Sequence, residues 1–493
     1  MSGEPGTHRT LPRLRRGPPE PVRGALSLGA ALLVAASAPG GLVSQEPSSA
    51  PPELGGVGTL TLEEALELAV GHNPAYRRSV NEVELNPTAS RSAWGSLLPE
   101  LSVSQGTGTS FSQTVRELDF FGDPVDNPDP RRIYTSSANQ SLSLSWSFQG
   151  LAPRHELAET RAANRGREVR RDRAAHRLRV EVSRAFHDAR EEEELLALEE
   201  EMLEGRERDL EAAERLYALA RRDRTDVLGA ELELARQEGN IEEARGEVRK
   251  ALLALGSAVG APDLDEVRVE AEPVRVFDPG DLDVEALVGA ALGRSPRVRE
   301  AEAVLDQERA VRDAARWSRL PSLELSASLS RSAVGPDQET FLNLTPGDSR
   351  RGSLSFSLSL PVGELLLSGA HEEQQAEVEL RNQSEEVREI RSEVEEEVRA
   401  RHIDLATAYR RVELSERERE LAEERLRLTQ EGYRMARQPF DELQTAVRDA
   451  AEARREAVTA RYDFVRARLD LEEALGLPLE AAVEGLPEGR GGP

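Results

Sequence analysis

Few residues in this chain of 493 have the type and spacing for covalent chemistry. There is no cysteine, which removes thiol catalysis, Cys-ligated zinc, disulfides and Cys-linked lipid anchors together. The seven histidines, His8, His72, His155, His176, His187, His371 and His402, contain no His-Glu-x-x-His pair and no tight cluster. His155 and His371 each open a long helical stretch and read as solvated helix starts. A phosphate loop ending in Lys-Ser/Thr is missing, as is any catalytic constellation, so no enzyme activity, bound metal or cofactor is expected. Acidic runs such as Glu191 to Glu194 read as wetted helix faces. What remains are two charged turns, Tyr217 to Val227 and Tyr433 to Gln444, each set between two helical stretches.

Those turns have to be held by something other than a large core. Apolar residues make up 38% of the chain, aromatics 4% and charged residues 31%, a balance closer to long solvated helices than to a globular enzyme. With 64 Lys+Arg against 91 Asp+Glu, the net charge of −27 has the wrong sign for gripping phosphate backbones, so no nucleic-acid partner is expected. At the amino end, Arg9, Arg13, Arg15, Arg16 and Arg23 precede an apolar run from Gly24 to Ala38, and small residues then lead to Ser44. The pattern predicts a signal peptide over 1–44, followed by a linker over 45–59. The apolar run is shorter than the ~20 residues of a spanning helix and has no successor downstream, so the mature chain can enter a membrane only as strands.

The chain repeats itself. Leu62-Glu63-Glu64-Ala65-Leu66 leads to Asn73-Pro74 and then to Leu98-Pro99; Val284-Glu285-Ala286-Leu287 leads to Ser295-Pro296 and then to Leu320-Pro321. From Pro74 to Pro99 is 25 positions, as it is from Pro296 to Pro321. Tyr217 corresponds to Tyr433, and Gly260 to Gly476. A duplicated unit follows, with repeats over 60–262 and 282–476, a linker over 263–281 and a flexible tail over 477–493.

Each repeat alternates helical and strand periods. A helix fits between the two prolines, kinked by Pro87 in the first repeat and uninterrupted in the second. Two strands follow in each repeat, predicted over 100–112 and 141–149, then 322–330 and 353–361. Leu142, Leu144, Trp146 and Phe148 share one face while Ser141, Ser143, Ser145 and Ser147 share the other; Leu354, Phe356 and Leu358 oppose Ser353, Ser355 and Ser357 in the same way. The segments Arg116 to Ser137 and Arg331 to Arg351 read as exposed loops. A helical hairpin closes each repeat, over 154–259 and 365–475. Val182, Ala189, Leu196, Leu203, Leu210 and Tyr217 recur every seven residues, as do Leu414, Leu421, Leu428 and Met435, which predicts coiled packing along narrow stripes.

Strands with one apolar and one hydroxyl face suit a membrane barrel, lipid outside and water inside. Four strands cannot close alone, and open edges in hydrocarbon leave unpaired backbone groups, so the chain must oligomerise. Two chains supply eight strands and three supply twelve.

The duplicated plan, Leu60-Thr61-Leu62-Glu63-Glu64-Ala65-Leu66 with Asn73-Pro74, the two Leu-Pro-x-Leu strand entries and the stretch from Tyr433 to Ala446 together resemble the TolC-like outer-membrane efflux proteins. The resemblance runs from about Leu60 to Gly476. It implies a mainly α fold with a membrane β-barrel portion: four strands per chain completing a twelve-stranded barrel in a homotrimer, and long helical hairpins forming an α-helical tunnel in the periplasm. The implied function is the outer-membrane channel of a tripartite efflux or type I secretion system, a passive conduit working with a periplasmic adaptor and an inner-membrane transporter. Gating and constriction would fall to Thr225, Asp226, Tyr433, Arg437 and Asp441, and adaptor docking to Leu219, Ala220, Arg221, Met435, Ala436 and Arg437. Repeated by symmetry at an inner mouth, one carboxylate becomes a cation-selecting ring. Departures from the family pattern are Gln444 where a second constriction carboxylate would stand, Pro439 in the second tip, and Ala220 and Ala436 in place of tip glycines. Thr225 and Asp226 also fit a plain helix N-cap and first-turn acid. The alternative to a channel is a periplasmic or surface coiled-coil scaffold without a pore.

Overall fold

The computed structural model describes residues 59–484, apart from 114, 119, 127–131, 150–151, 262–266, 272, 318–319, 336–348, 361, 363–368 and 436. The predicted signal peptide, most of the first linker and residues 485–493 lie outside the described residues.

The first repeat opens with β1 (Thr59–Leu60) and α1 (Leu62–His72). Thr61 caps α1 through a capping box with Glu64, whose carboxyl is held below its usual range by the Thr61 amide and hydroxyl. The region between the two prolines is broken rather than kinked. It forms α2 (Pro74–Val83) and α3 (Asn86–Gly95), because Pro87 has no N–H to donate to the carbonyl of Val83. Then come β2 (Glu100–Gln113), the short β3 (Arg116–Leu118) and β4 (Pro124–Asp126), and β5 (Arg132–Gln149). The segment read as a loop over Arg116 to Ser137 thus holds a small hairpin and the start of β5, since it has enough β-compatible residues between its Asp-Pro turns to pair. The hairpin of the repeat is α4 (Ala152–Ala218) and α5 (Arg224–Val259). At ~1.5 Å per residue the 67 residues of α4 extend about 100 Å.

The second repeat follows the same order. After β6 (Arg268–Val269), which pairs parallel with β1, it runs through α6 (Val284–Arg294), an unbroken α7 (Pro296–Trp317), β7 (Ser322–Gly335), β8 (Ser349–Ser359), α8 (Gly369–Arg434) and α9 (Phe440–Leu475). The expected flexible tail instead begins with α10 (Leu479–Glu484), whose Leu479 and Ala482 are buried with Leu477 against α6 and α9. Its apolar residues join the core of the second repeat, which explains the order.

The strands form one antiparallel sheet in the order β2-β5-β7-β8, so β2 and β8 are the outer strands. Register keeps like opposite like. Val103 faces Leu142, Leu142 faces Leu329, Trp146 faces Leu325, and Leu325 faces Phe356. On the other face serine meets serine: Ser102–Ser143 and Ser104–Ser141 at 2.6 Å, Ser326–Ser355 and Ser328–Ser353 at 2.7 Å, and Ser332–Ser349 at 2.6 Å between hydroxyl oxygens. The apolar face is open, with Leu354 77% and Phe356 68% exposed. No helix among the described residues is long and apolar enough to cross a membrane.

Each repeat owns a small core where its first helix meets its hairpin. Ala65 and Ala69 pack with Val182, Phe186, Leu255 and Val259 in the first repeat; Leu287 and Ala291 pack with Val398, Leu405, Phe464 and Leu475 in the second. The return helices α5 and α9 end on left-handed glycines, Gly260 (φ 84°) and Gly476 (φ 73°). Both press on the start of the helix after an Asn-Pro or Ser-Pro step. A Cβ on Gly260 would lie 2.7 Å from the His72 carbonyl oxygen, and one on Gly476 would strike Pro296. The equivalence of the two glycines is therefore steric as well as sequential.

Two packing expectations need correction. The acidic run of α4 is not all wetted: Glu191 and Glu199 are buried against α9, where Arg466 donates to Glu191 at 2.6 and 2.8 Å and Arg455 donates to Glu199 at 2.6 Å. Glu194 accepts from Arg461 and from the Tyr462 hydroxyl. Four consecutive residues sweep a full helical turn, so one of them must face the neighbouring helix. Burial pushes the Glu191 carboxyl up to about 7 despite Arg466 beside it. The stripe of Leu414, Leu421 and Leu428 on α8 with Met435 just past its end, expected as a packing seam, is between 53 and 64% exposed; within the chain α8 buries Val394, Val398, Leu405 and Val412 instead.

Candidate functional site

The two hairpin tips, far apart in sequence, meet in one place. In the first, α4 ends with Ala220 in the left-handed conformation (φ 54°), where the Ala220 amide donates to Tyr217 and the Arg221 amide to Leu216 at 2.9 Å. This is the backbone a glycine would favour, kept by alanine at a cost of ~1 kcal/mol. Asp223 stands at the N-cap position of α5, so Thr225 is not the cap; Asp226 is the first-turn acid. In the second tip the Arg437 and Gln438 amides donate to the Gly432 carbonyl, and Pro439 precedes the first residue of α9. A Cβ on Gly432 would lie 2.5 Å from Gln438, which explains a glycine there.

Arg222 ties the tips together. Its Nη2 donates to the Gln438 carbonyl, its guanidinium lies over the Tyr433 ring with 5.3 Å from Cζ to the centroid, and its Nε is 3.9 Å from the Asp226 carboxylate. Tyr433 is 1% exposed and packs on Phe440, Leu216 and Leu443. A cation held over an aromatic face away from water gains more than an exposed pair. Burial pushes the Tyr433 phenol up to about 12, with Asp226 adding to the effect. Burial likewise raises the Asp226 carboxyl, opposed by Arg222 and reinforced by Asp223 and Asp441. The Tyr433 hydroxyl, Asp226 Oδ2 and Arg222 Nε are buried without a hydrogen-bond partner among the described residues.

Behind this cluster a second set of polar side chains links three helices. Arg206 of α4, 6% exposed, donates to Gln444 of α9 at 3.1 Å and lies 3.7 Å from Glu233 of α5. Gln444 therefore turns inward to meet an arginine. A groove of about 280 Å³ runs beside it between α4, α8 and α9, lined by Gly205, Asp209, Gln430, Arg434, Ala450 and Ala451 among others.

Of the sequence-predicted residues, Asp226 and Tyr433 come together. Thr225, Arg437 and Asp441 are exposed around them, and Leu219, Arg221 and Met435 are exposed at the tips. Ala436 lies outside the described residues. Arg222 and Arg206 were missed. The spacing of Arg222 and Asp226, four residues apart across a helix start, was the available signal for the first; nothing local marks the second. Among the described residues no group of three His, Asp or Glu side chains is placed to hold a metal ion.

Long paired hairpins joined to a two-faced antiparallel sheet define the fold. Residues 287–477 match the family described as outer membrane efflux protein. Curated proteins provide no match. Among solved structures, the chain resembles the CmeC outer membrane channel of Campylobacter jejuni (15% identity, 84% of this chain and 85% of that one, TM-score 0.67). It also resembles the MtrE outer membrane channel of Neisseria gonorrhoeae in its open state (20% identity, 85% and 89%, TM-score 0.64) and the outer membrane protein VceC of Vibrio cholerae (17% identity, 85% and 96%, TM-score 0.64). At these identities the likeness establishes the fold, and it spans both repeats.

Proposed function

We propose that the chain is the outer-membrane channel of a tripartite efflux or type I secretion system, a passive homotrimeric conduit from periplasm to exterior. The sheet carries this reading. Its open face is apolar, its other face is serine, and its two outer strands leave backbone groups that hydrocarbon would not solvate. Three chains side by side supply twelve strands and remove every edge. The exposed stripe of Leu414, Leu421, Leu428 and Met435 supports lateral neighbours along the helices as well.

In this reading the hairpin tips form the inner mouth. Arg222, Asp226 and Tyr433 lock one hairpin to the other, while Thr225, Arg437 and Asp441 stand exposed toward symmetry mates. Leu219, Ala220, Arg221, Met435, Ala436 and Arg437 form the surface for a periplasmic adaptor, and an inner-membrane transporter supplies the energy. A scaffold without a pore accounts for the helices and leaves the two-faced sheet without a purpose. Outer-membrane fractions should yield the chain as a detergent-requiring trimer that dissociates on heating and conducts in planar bilayers, with Asp441→Asn altering block by multivalent cations. A monomeric rod released by washing without detergent would sink the proposal.

A further inference from the structure

The apolar face of the sheet stops at a row of polar residues. Alternation along unbroken ladders puts Gln105, Gln140, Arg331 and Arg350 on that face, and register sets them side by side: Gln105 opposite Gln140, Gln140 opposite Arg331, and Arg331 opposite Arg350. On the helix side of this row the face is apolar, running from Leu142 to Phe148 on β5 and from Leu329 to Leu323 on β7. From Leu360, just past β8, back to Arg350 is ten positions. At ~3.3 Å per residue and a strand tilt of ~40° they rise about 25 Å, the height of the apolar band of a membrane barrel. Both arginines therefore stand at the edge of such a band, where a charge facing lipid is tolerated, and not at its middle, where it is costly.

The sign of the charge on this face is also unusual for the chain. Over the four strands it carries Arg132, Arg331 and Arg350 and no carboxylate, although the chain has a net charge of −27; Glu100 and Glu324 lie on the serine face. Arg132, farther from the band, lies over the Phe111 ring with 5.6 Å from Cζ to the centroid. Arg331 and Arg350 instead face each other directly, and like charges directly opposite on one face of a sheet repel. A doubly charged anion between them reverses the sign of that interaction. Each guanidinium offers five donors in a planar fork that fits phosphate oxygens. A phosphomonoester, with about two negative charges at pH 7, matches the pair, whereas a phosphodiester brings half that charge.

We propose that Arg331 and Arg350 clamp the phosphomonoester headgroup of an outer-leaflet lipid, with Gln140 beside them as a further donor, so that each protomer carries one such lipid at the outer edge of its apolar band. The inference rests on the conduit reading, which sets this face in lipid and the loop end of the sheet outside.

The test titrates the detergent-solubilised, full-length trimer with dioctanoyl phosphatidic acid, a phosphomonoester lipid, and reads bound lipids by native mass spectrometry. The wild type saturates with one phosphatidic acid per protomer and binds phosphatidylglycerol of the same chains, a diester, about tenfold more weakly. The double variant Arg331→Gln/Arg350→Gln loses about tenfold or more in affinity for phosphatidic acid. Arg351→Gln, one residue along on the serine face, binds as the wild type does. Inorganic phosphate at the same concentration does not displace the lipid. Equal affinity for the two lipids on the wild type, which needs no variant to fold, overturns the clamp and leaves the conduit intact, as does an unchanged affinity in the double variant or an equal loss in Arg351→Gln. Displacement by inorganic phosphate overturns the lipid as occupant and leaves a bare anion site. A wild type that neither trimerises nor needs detergent overturns the conduit and the clamp with it.

Discussion

Tyr217 and Tyr433 hold equivalent places at the ends of α4 and α8, yet Tyr217 is 47% exposed and Tyr433 is 1% exposed. The backbones around them are alike: each long helix ends in a short turn and each return helix starts without a side-chain cap bond. What differs is company. Tyr433 has Arg222 over its ring, Phe440 packed beside it and the Asp226 charge raising its phenol, whereas Tyr217 stands largely open to solvent. Duplication preserved the frame while the contacts that make a lock came to rest on one tip. The two repeats diverge similarly at their start, where Pro87 splits the first helix and α7 runs whole.

That asymmetry can be broken from either side. Tyr433→Ala should cost about 3 kcal/mol of thermal stability, as buried aromatic truncations do, and Tyr217→Ala well under about 1 kcal/mol; equal losses in denaturant melts of the two variants would erase the distinction. Where the repeats are alike, substitutions should act alike. Gly260→Ala and Gly476→Ala should each cost about 2 kcal/mol, since both need a left-handed backbone and both crowd the opposing helix start. A large loss at only one of them, read by circular dichroism melts, would show that the equivalence is not energetic. Arg222→Ala should cost about 1–2 kcal/mol and raise the open probability in bilayers, because Tyr433 and Gln438 lose their shared partner. Ala220→Gly should move the other way, stabilising the first tip by up to about 1 kcal/mol by removing the strain of a positive φ.

The smallest effect is in pH dependence. The folded Asp226 carboxyl sits above its ordinary value of 3.8, so the folded tip holds that proton more tightly than the unfolded chain. Its contribution to stability is then greatest at low pH and is lost as pH rises from 3.8 through the raised value. Hydrogen exchange at the tip amides should show that slope in the wild type and a flatter one in Asp226→Asn. An unchanged slope would assign the titration elsewhere.

Much was legible in residue order because it depends on local period. Alternating Leu and Ser placed all four strands and their faces, Pro74 and Pro296 marked helix starts, and the repeat spacing paired Gly260 with Gly476. The serine register, the turn of Glu191, Glu194 and Glu199 toward α9, and the inward Gln444 were not legible, because each depends on which helix or strand lies opposite. Arg222 reaches a carbonyl and a ring more than two hundred residues away, and no spacing along the chain reports such a contact. Sequence by itself therefore determined the periods, the duplication and the two-faced strands, which are properties of a chain and its nearest turns. Only the tertiary structure decided which charges are paired, which stripe stays exposed and which tyrosine is locked, since those follow from packing between distant segments.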